Sequence, residues 1–244
     1  MNYCDHTFTS PAENLACDEA LLNRGEAGGA EVLRFWEPRE YFVVVGYANK
    51  VEAEVEVAAC AARKVPIFRR SSGGGTVLQG PGCLNYTLIL QIAAHPALAS
   101  IASANKFIME HNRAAVESVI GPASRGQPAV TIRGHTDLAL GERKFSGNSQ
   151  RRQKRSLLFH GTFLLNFDLP LVNDLLRMPS QQPGYRNHRN HIDFLTNVKA
   201  PAARLKSELG KVWEATAGSD DFTGPETHKL AVEKYATAGW NFKL

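Results

Sequence analysis

The chain of 244 residues has few cysteines, a modest charge and no long apolar run, and each shortage excludes a class of protein. Its four cysteines, Cys4, Cys17, Cys60 and Cys83, form no C-x-x-C pair and no cluster with metal-ligand spacing, so neither a disulfide scaffold nor a zinc module is expected. Cys17 and Cys60 fall among alanines on predicted helices, the setting of buried reduced thiols. No apolar stretch approaches a membrane span, and the opening MNYCDHTFTS lacks the pattern of a secretory signal, so a cytoplasmic protein without a membrane partner is expected. The formal net charge of +4 falls short of a nucleic-acid-binding signature but suits an anionic ligand or an acidic protein partner. Most of the excess lies over residues 143–155, where Arg143, Lys144, Arg151, Arg152, Lys154 and Arg155 meet no neighbouring acid; a solvated basic loop is the plain expectation there. Internal repeats and low-complexity tracts are absent, and a chain this long with 43% hydrophobic residues can bury a sizeable core.

What is present is concentrated in residues 69–85, RRSSGGGTVLQGPGCLN. Val65, Pro66, Ile67 and Phe68 read as the end of a strand, and Thr76, Val77 and Leu78 read as extended again. Three consecutive glycines between strands are unfavourable in folding entropy unless the backbone needs positive φ or a close approach by another group. An anion is one such group. The N–H groups of Gly73, Gly74 and Gly75 can hydrogen-bond a phosphate or carboxylate while Arg69 and Arg70 neutralise it. A bulged hairpin turn explains the glycines equally well. The stretch is no P-loop, which needs Lys-Ser or Lys-Thr after the glycines, and it lacks the GxGxxG spacing.

Around it, strands are grouped with a few helices. Ser10, Pro11 and Glu13 form a capping-box start for a helix ending near Gly25; Asn14 and Asp18, four apart, are either a polar buried patch or, the reading that spacing favours, a solvated face. Strands are expected over residues 31–36 and 41–45, a helix over 51–64, and an interior strand over 85–90. An amphipathic helix follows over about 99–120, with Ile101, Ala104, Ile108, Ala115, Val116 and Val119 inward, ended by Gly121 and Pro122. Strands over 129–133 and 136–140 precede a tight turn at Gly141-Glu142, which puts Lys144 just inside the returning strand. Residues 156–167 form a further strand, Asp168 caps a short helix, and residues 179–191 make a polar loop long enough to be functional. Helices over 202–217 and 225–236 flank an acidic linker at 218–221. This grouping argues an α+β domain with a mixed, largely antiparallel central sheet flanked by helices.

A second stretch, RGHTDLALGERKFSGNSQ over residues 133–150, is followed ten residues later by His160, Gly161 and Thr162. RRxSGGGxV, then DL with G-x-x-K-x-S-G-x-x-Q, then HGT, in this order and spacing, resembles the lipoate–protein ligase family, which also holds octanoyl transferases and is related to biotin–protein ligases. The resemblance covers roughly residues 14–198. It implies the fold shared with biotin ligases and class II aminoacyl-tRNA synthetases, with residues 1–200 as catalytic domain and 201–244 as a helical extension of it. It implies an ATP-dependent ligase that activates lipoate or octanoate as acyl-AMP and transfers it to a lysine of a lipoyl carrier domain, with ATP and Mg2+ as cofactors. Such chemistry needs backbone donors, fixed cations and usually magnesium, because an unactivated acid does not acylate an amine at neutral pH. By the resemblance, Lys144 contacts the carboxyl and α-phosphate oxygens, and Arg70, Ser72, Gly73, Gly74, Gly75, Thr76 and Val77 line the lipoate and adenylate pocket. Asn85 faces the glycine loop, and Ser146, Gly147 and Ser149 belong to the lysine's motif. Asp137 is the candidate for magnesium or ribose, and His160 is either a substrate contact or a satisfied core histidine. Val45, Val77 and Phe145 are expected to receive the apolar acyl chain.

This sequence departs from the family pattern in three places. Gln79-Gly80 stands where the family often has V-x-H-D, and His135-Thr136-Asp137 replaces its usual Arg-Asn-Asp. The sequence also stops near Trp240 and Asn241, where the resemblance puts the end of the large domain, so a separate accessory-domain subunit is an expected partner. The main alternative is an ATP-independent octanoyl or lipoyl transferase working through a cysteine thioester. Its cysteine would precede the HGT strand or the DL pair, where Ser156-Leu157-Leu158 and Thr131-Ile132-Arg133 stand instead; Cys83 is the spare candidate. A non-catalytic lipoyl-binding protein is a third reading.

Overall fold

The computed structural model describes residues 1–121, 123, 128–218 and 224–244. The chain opens with β1 (Asn2–Asp5), α1 (Pro11–Glu26), β2 (Val32–Trp36) and β3 (Phe42–Val45). The short helices α2 (Val51–Glu54) and α3 (Val57–Ala62) lead to β4 (Ile67–Arg69), β5 (Val77–Gln79) and β6 (Cys83–Gln91). After α4 (Ile101–Ile120) come β7 (Val130–Arg133), β8 (Asp137–Leu140), β9 (Arg143–Arg152) and β10 (Ser156–Leu164). The remainder comprises α5 (Leu169–Leu175), α6 (His191–Phe194), α7 (Ala202–Val212), β11 (Thr216–Ala217), α8 (Pro225–Leu230) and α9 (Ala238–Asn241), with a π-helical turn at Ala231–Tyr235.

The strands make an eight-stranded sheet in the order β11-β1-β2-β6-β10-β9-β8-β7 and a three-stranded sheet in the order β4-β3-β5. Pairing in the large sheet is antiparallel except along β11-β1-β2, so the architecture is the expected α+β with a largely antiparallel sheet. The two-residue alternation of strands sorts side chains between its faces. In β6, Leu84, Tyr86, Leu88 and Leu90 join Leu157, Phe159 and Phe163 of β10 in the main core, packed under Ala104, Ile108 and Val116 of α4. The intervening residues Ile89 and Leu158 pack under Cys17, Leu21 and Leu22 of α1. Asn85, Thr87, His160 and Thr162 share that second face, and their polar groups form the floor of a cavity or the network behind it.

Several local expectations change. Ser10 is the N-cap of α1 but its side chain caps nothing; Asn14 holds the helix entry instead, accepting from Phe8 N–H and donating to the Phe8 and Ser10 carbonyls. The expected helix over 51–64 is broken at Val55, which bridges Leu176 while the Glu56 N–H donates to the Leu175 carbonyl. Ile101 is exposed rather than inward, because Ser100 and Ser103 cap α4 in a reciprocal box and place Ile101 at its first turn. Asp168 makes no side-chain cap to α5. Thr216 and Ala217 are edge strand rather than helix, and β1 supplies their pairing partner. Of the linker expected at 218–221, only Gly218 lies among the described residues; Pro122 also lies outside them. The basic run is no loop. Its residues belong mostly to β9, where Lys144 meets Asp137 of the adjoining strand β8 and Arg151 meets Glu19 of the distant α1.

The face expected to be solvated is the most consequential correction. Asn14 and Asp18 are buried against the fully buried guanidinium of Arg34 on β2. Arg34 Nη1 donates to Asp18 Oδ1 at 2.6 Å, and Nη2 donates to Asn14 Oδ1 at 2.9 Å. Thr87 donates to the same Asp18 oxygen at 2.8 Å, and His160 Nδ1 lies 2.9 Å from Asp18 Oδ2. Burial alone would raise the Asp18 carboxyl, but the His160 hydrogen bond, the Arg34 charge and the Thr87 hydroxyl together hold it below the usual range. A carboxylate whose folded value is depressed stabilises the fold above its ordinary unfolded value, and that contribution is lost as pH falls through the folded value. Asp18→Ala would leave Arg34 buried without its counter-charge, so chemical denaturation should show a loss of about 3–5 kcal/mol. A loss well under 1 kcal/mol would contradict this account of the buried pair.

Candidate active site

A cavity of ≈ 870 Å3 opens between the polar positions of β6, β9 and β10 and the small sheet with its glycine loop. Arg69 and Arg70 take opposite sides of the loop's entry strand. Arg69 turns away from the cavity: its Nη1 donates to the carbonyls of Gly46, Tyr47 and Asn49, and its Nε reaches those of Trp240 and Asn241. Arg70 turns in. Its Nε donates to Ser72 Oγ, Nη1 to the Val44 carbonyl, and Nη2 to the carbonyls of Gly73 and Gly75. Burial pushes the Arg70 guanidinium down to about 10, so it remains a cation at neutral pH.

The carbonyls of the glycine loop are therefore occupied. Gly73 O also accepts from Ser149 Oγ at 2.9 Å, and Gly74 O accepts from Asn49 Nδ2 at 3.2 Å. The N–H groups of Gly73, Gly74 and Gly75 donate to no described residue, which leaves them to a ligand. Gly74 has φ +83°, and a Cβ at Gly46 would run into its carbonyl, so this close approach requires glycine on both sides.

Lys144 lies at the start of β9, and its Nζ is 2.8 Å from Asp137 Oδ1. The other Asp137 oxygen accepts from the Tyr185 hydroxyl at 2.8 Å. A Cβ at Gly147 would sit 2.6 Å from Lys144 Nζ, so the glycine three residues on lets the lysine lie back along its own strand. This is the physical content of the K-x-S-G spacing. Burial, then the Asp137 charge, raises the Tyr185 phenol, which stays a neutral donor.

Of the residues singled out in the sequence, Arg70, Gly73, Gly74, Gly75, Thr76, Val77, Asn85, Asp137, Lys144, Gly147, Ser149 and His160 line this cavity. Ser72 is buried behind it, with its Oγ 2.6 Å from His160 Nε2. Ser146 is also buried and lines a smaller side chamber. Asn85 joins a closed ring: its Nδ2 donates to Gln79, Gln79 donates to Thr162, and Thr162 donates back to Asn85. Gln79, standing where the resemblance expected V-x-H-D, thus has a structural partner of its own. His160 is both a satisfied histidine and a cavity wall, held by Asp18 and Ser72 on its two ring nitrogens.

The apolar wall differs from expectation. Leu15, Trp36, Val44 and Val77 provide it, whereas Val45 packs into the small-sheet core and Phe145 into the main core. Val44 pairs with Val77 across β3 and β5, and a one-residue change of parity sends Val45 to the opposite face. Two other cavity residues had no sequence signal of their own, Trp36 and Arg186 within the loop flagged over 179–191, and Asp18 was marked only with Asn14 as a helix face. For magnesium, no cluster of three His, Cys, Asp or Glu groups exists among the described residues. Asp137 faces the cavity as a single carboxylate whose oxygens already meet Lys144 and Tyr185, so a magnesium ion there would be held chiefly by ligand phosphate and water oxygens.

This arrangement is that of an acyl-group ligase or transferase, and the chain belongs to the lipoyl protein ligase A/B catalytic domain family, whose model matches residues 10–216. It is 24% identical to lipoate-protein ligase A subunit 1 of Thermoplasma acidophilum, over 95% of this chain and 92% of that one. It is also 24% identical to octanoyltransferase LipM of Oceanobacillus iheyensis, over 84% of this chain and 78% of that one. In three dimensions it resembles a bipartite lipoate protein ligase from Thermoplasma acidophilum with a TM-score of 0.80 at 19% identity, covering 99% of this chain and 95% of that one. Lipoate-protein ligase A bound with ATP gives a TM-score of 0.76 at 21% identity, with 99% of each chain covered. Ligases and octanoyl transferases both stand among the relatives, so the choice between them turns on the site.

All four cysteines are buried and outside any disulfide, and none lines the cavity. Cys83 packs among Val43, Val45 and Leu78, and burial pushes its thiol up to about 12. In the native protein at pH 8 a thiol reagent should therefore label none of the four rapidly, and all four after denaturation. Rapid native labelling of Cys83 would contradict this burial.

Proposed function

We propose that this chain is an ATP-dependent lipoate (or octanoate) protein ligase. The observation that carries the reading is a cavity with an apolar end, a lysine fixed over Gly147, free loop N–H groups, and no cysteine among its described lining residues. A transferase working through a thioester needs an accessible low-pKa thiol, and Cys83 is neither accessible nor activated.

The acyl chain would lie against Leu15, Trp36, Val44 and Val77, with its carboxylate toward Lys144. One carboxylate oxygen attacks the α-phosphorus of ATP, the bond to the β-phosphate oxygen breaks, and pyrophosphate leaves. The Lys144 ammonium would stabilise charge on the carboxyl and α-phosphate oxygens, and the loop N–H groups would donate to phosphate oxygens. Asp137 would hold magnesium, whose chemistry is neutralisation of phosphate charge. In the second half-reaction a carrier lysine amine attacks the acyl carbonyl, AMP departs, and the amine loses a proton to form the amide. Lys144 remains a donor to the departing phosphate.

The acceptor in this reading is a lipoyl carrier domain. The relative called subunit 1 and the neighbour described as bipartite, with a lipoyl domain, support a second polypeptide as a working partner.

Lys144→Ala should lower lipoate-dependent pyrophosphate release from magnesium-ATP by at least about 10²-fold while leaving the thermal midpoint within a few degrees. Wild-type release rates in the folded variant would remove Lys144 from the chemistry.

A further inference from the structure

A run of buried polar side chains crosses the main core and ends at the cavity. Trp213, at the end of α7, donates its indole Nε1–H to Asn112 Oδ1 at 3.0 Å, and Asn112 Nδ2 donates to the Tyr86 hydroxyl at 2.7 Å. The Tyr86 hydroxyl donates to Asn148 Oδ1 at 2.6 Å, and Asn148 Nδ2 donates to the Thr136 carbonyl at 2.6 Å. Tyr86 and Asn112 are fully buried, and Trp213 is nearly so. An indole N–H can only donate and a carbonyl can only accept, so the series runs one way and each amide has a single orientation. Burial holds the Tyr86 phenol well above its ordinary value, which keeps it a neutral donor. A satisfied network of this kind rigidifies what it joins.

What it joins is the segment on either side of the Lys144–Asp137 pair. The ladder between β8 and β9 ends at Leu138 and Ser146, one residue short of Asp137, which keeps its hairpin partner Arg133 on β7. Beyond that point Asn148 ties the hairpin to β9: its amide bonds the Thr136 carbonyl, and the Thr136 hydroxyl donates back to the Asn148 carbonyl at 2.8 Å. Thr136 directly precedes Asp137, and Asn148 directly follows the glycine over which Lys144 lies. This clamp therefore bears on the 2.8 Å spacing of the Asp137 carboxylate and the Lys144 ammonium. The fold leaves room for it. A Cβ at Gly161 would run into the Asn148 amide and the Tyr86 ring, so these two side chains require the glycine of His160-Gly161-Thr162. Asn148 and Tyr86 border the cavity, but the polar atoms of both side chains are already bonded within the protein.

We propose that Tyr86 and Asn148 are positioning residues for Lys144 and Asp137, the site end of a one-way hydrogen-bond series anchored at Trp213. This rests on the reading above, in which Lys144 meets the carboxyl and α-phosphate oxygens. Stabilising a developing charge depends on where the donor stands at that moment, so loosening the clamp lowers turnover without weakening substrate binding.

Steady-state pyrophosphate release from magnesium-ATP and lipoate tests it on the full chain, with whatever second subunit accompanies it, as wild type, Tyr86→Phe and Thr136→Val. Backbone hydrogen exchange is measured on each. Both substitutions keep the side chain's shape and remove one hydroxyl, on opposite sides of Asn148. The expected result is a kcat lowered on the order of 10-fold in Tyr86→Phe and by less in Thr136→Val, with both KM values within about twofold of wild type. Exchange should quicken over residues 134–137 and 146–148 and stay unchanged along β6 and α4. Wild-type kcat in both variants overturns the inference while leaving the ligase reading intact. Raised KM values with faster exchange along β6 and α4 make Tyr86 a core-packing residue and also overturn it. A wild-type protein that releases no pyrophosphate in response to lipoate overturns the ligase reading, and this inference with it.

Discussion

Buried guanidinium groups constrain this structure more than any other feature. Arg34, Arg69 and Arg70 are all withdrawn from water, and each must find acceptors inside the protein. Arg34 finds a carboxylate in Asp18. Arg69 and Arg70 have no such partner among the described residues, so backbone carbonyls must turn toward them. The glycine loop curls because Arg70 draws the Gly73 and Gly75 carbonyls inward, and the segment over residues 46–49 bends because Arg69 gathers three of its carbonyls. Turning carbonyls one way turns N–H groups the other, and the loop's free donors are the result.

The same bonds connect distant parts of the chain to the cavity. Arg69 is capped on its own N–H by Asn241 Oδ1 and on its carbonyl by Trp240 Nε1, so the last helix fixes the strand that carries Arg70. Glu19, one residue beyond Asp18, holds Lys234 and Tyr235 from the C-terminal segment and Arg151 from β9. Asp18 itself runs through His160 to Ser72 and so to Arg70. The histidine and the loop are thus held by one connected polar network rather than by loop packing alone, which fixes the donors that border the cavity.

How legible this was in the sequence depended on the range of the interaction. Local chemistry was readable: the glycine run, the tight turn before Lys144, the alternation of β6 and the order of motifs all follow from near neighbours. The lysine motif's glycine was recognisable, and its reason, clearance for Lys144 Nζ, needed coordinates. Readings failed where a partner lay far along the chain. Asn14 and Asp18 looked solvated because Arg34 stands on another element, and the basic run looked like a loop because Glu19, the partner of Arg151, lies on α1 far from it in sequence. Strand parity decided Val44 over Val45, and only the pairing with β5 sets that parity. Arg186 was invisible as an individual residue. Only the length and polarity of its loop drew notice, since its place on the cavity wall is set by the fold and not by its neighbours in sequence.

The central claim is that this site joins a free acid to a carrier lysine at the expense of ATP, rather than passing an acyl group between carriers. Intact-mass spectrometry of a lipoyl carrier domain tests it, in the presence of whatever second subunit accompanies the chain. One reaction supplies lipoate with magnesium-ATP, and the other supplies an octanoyl-carrier donor without nucleotide. The account predicts a lipoyl mass increment in the first and no increment in the second. An octanoyl increment without ATP, with none from ATP and free lipoate, would contradict it.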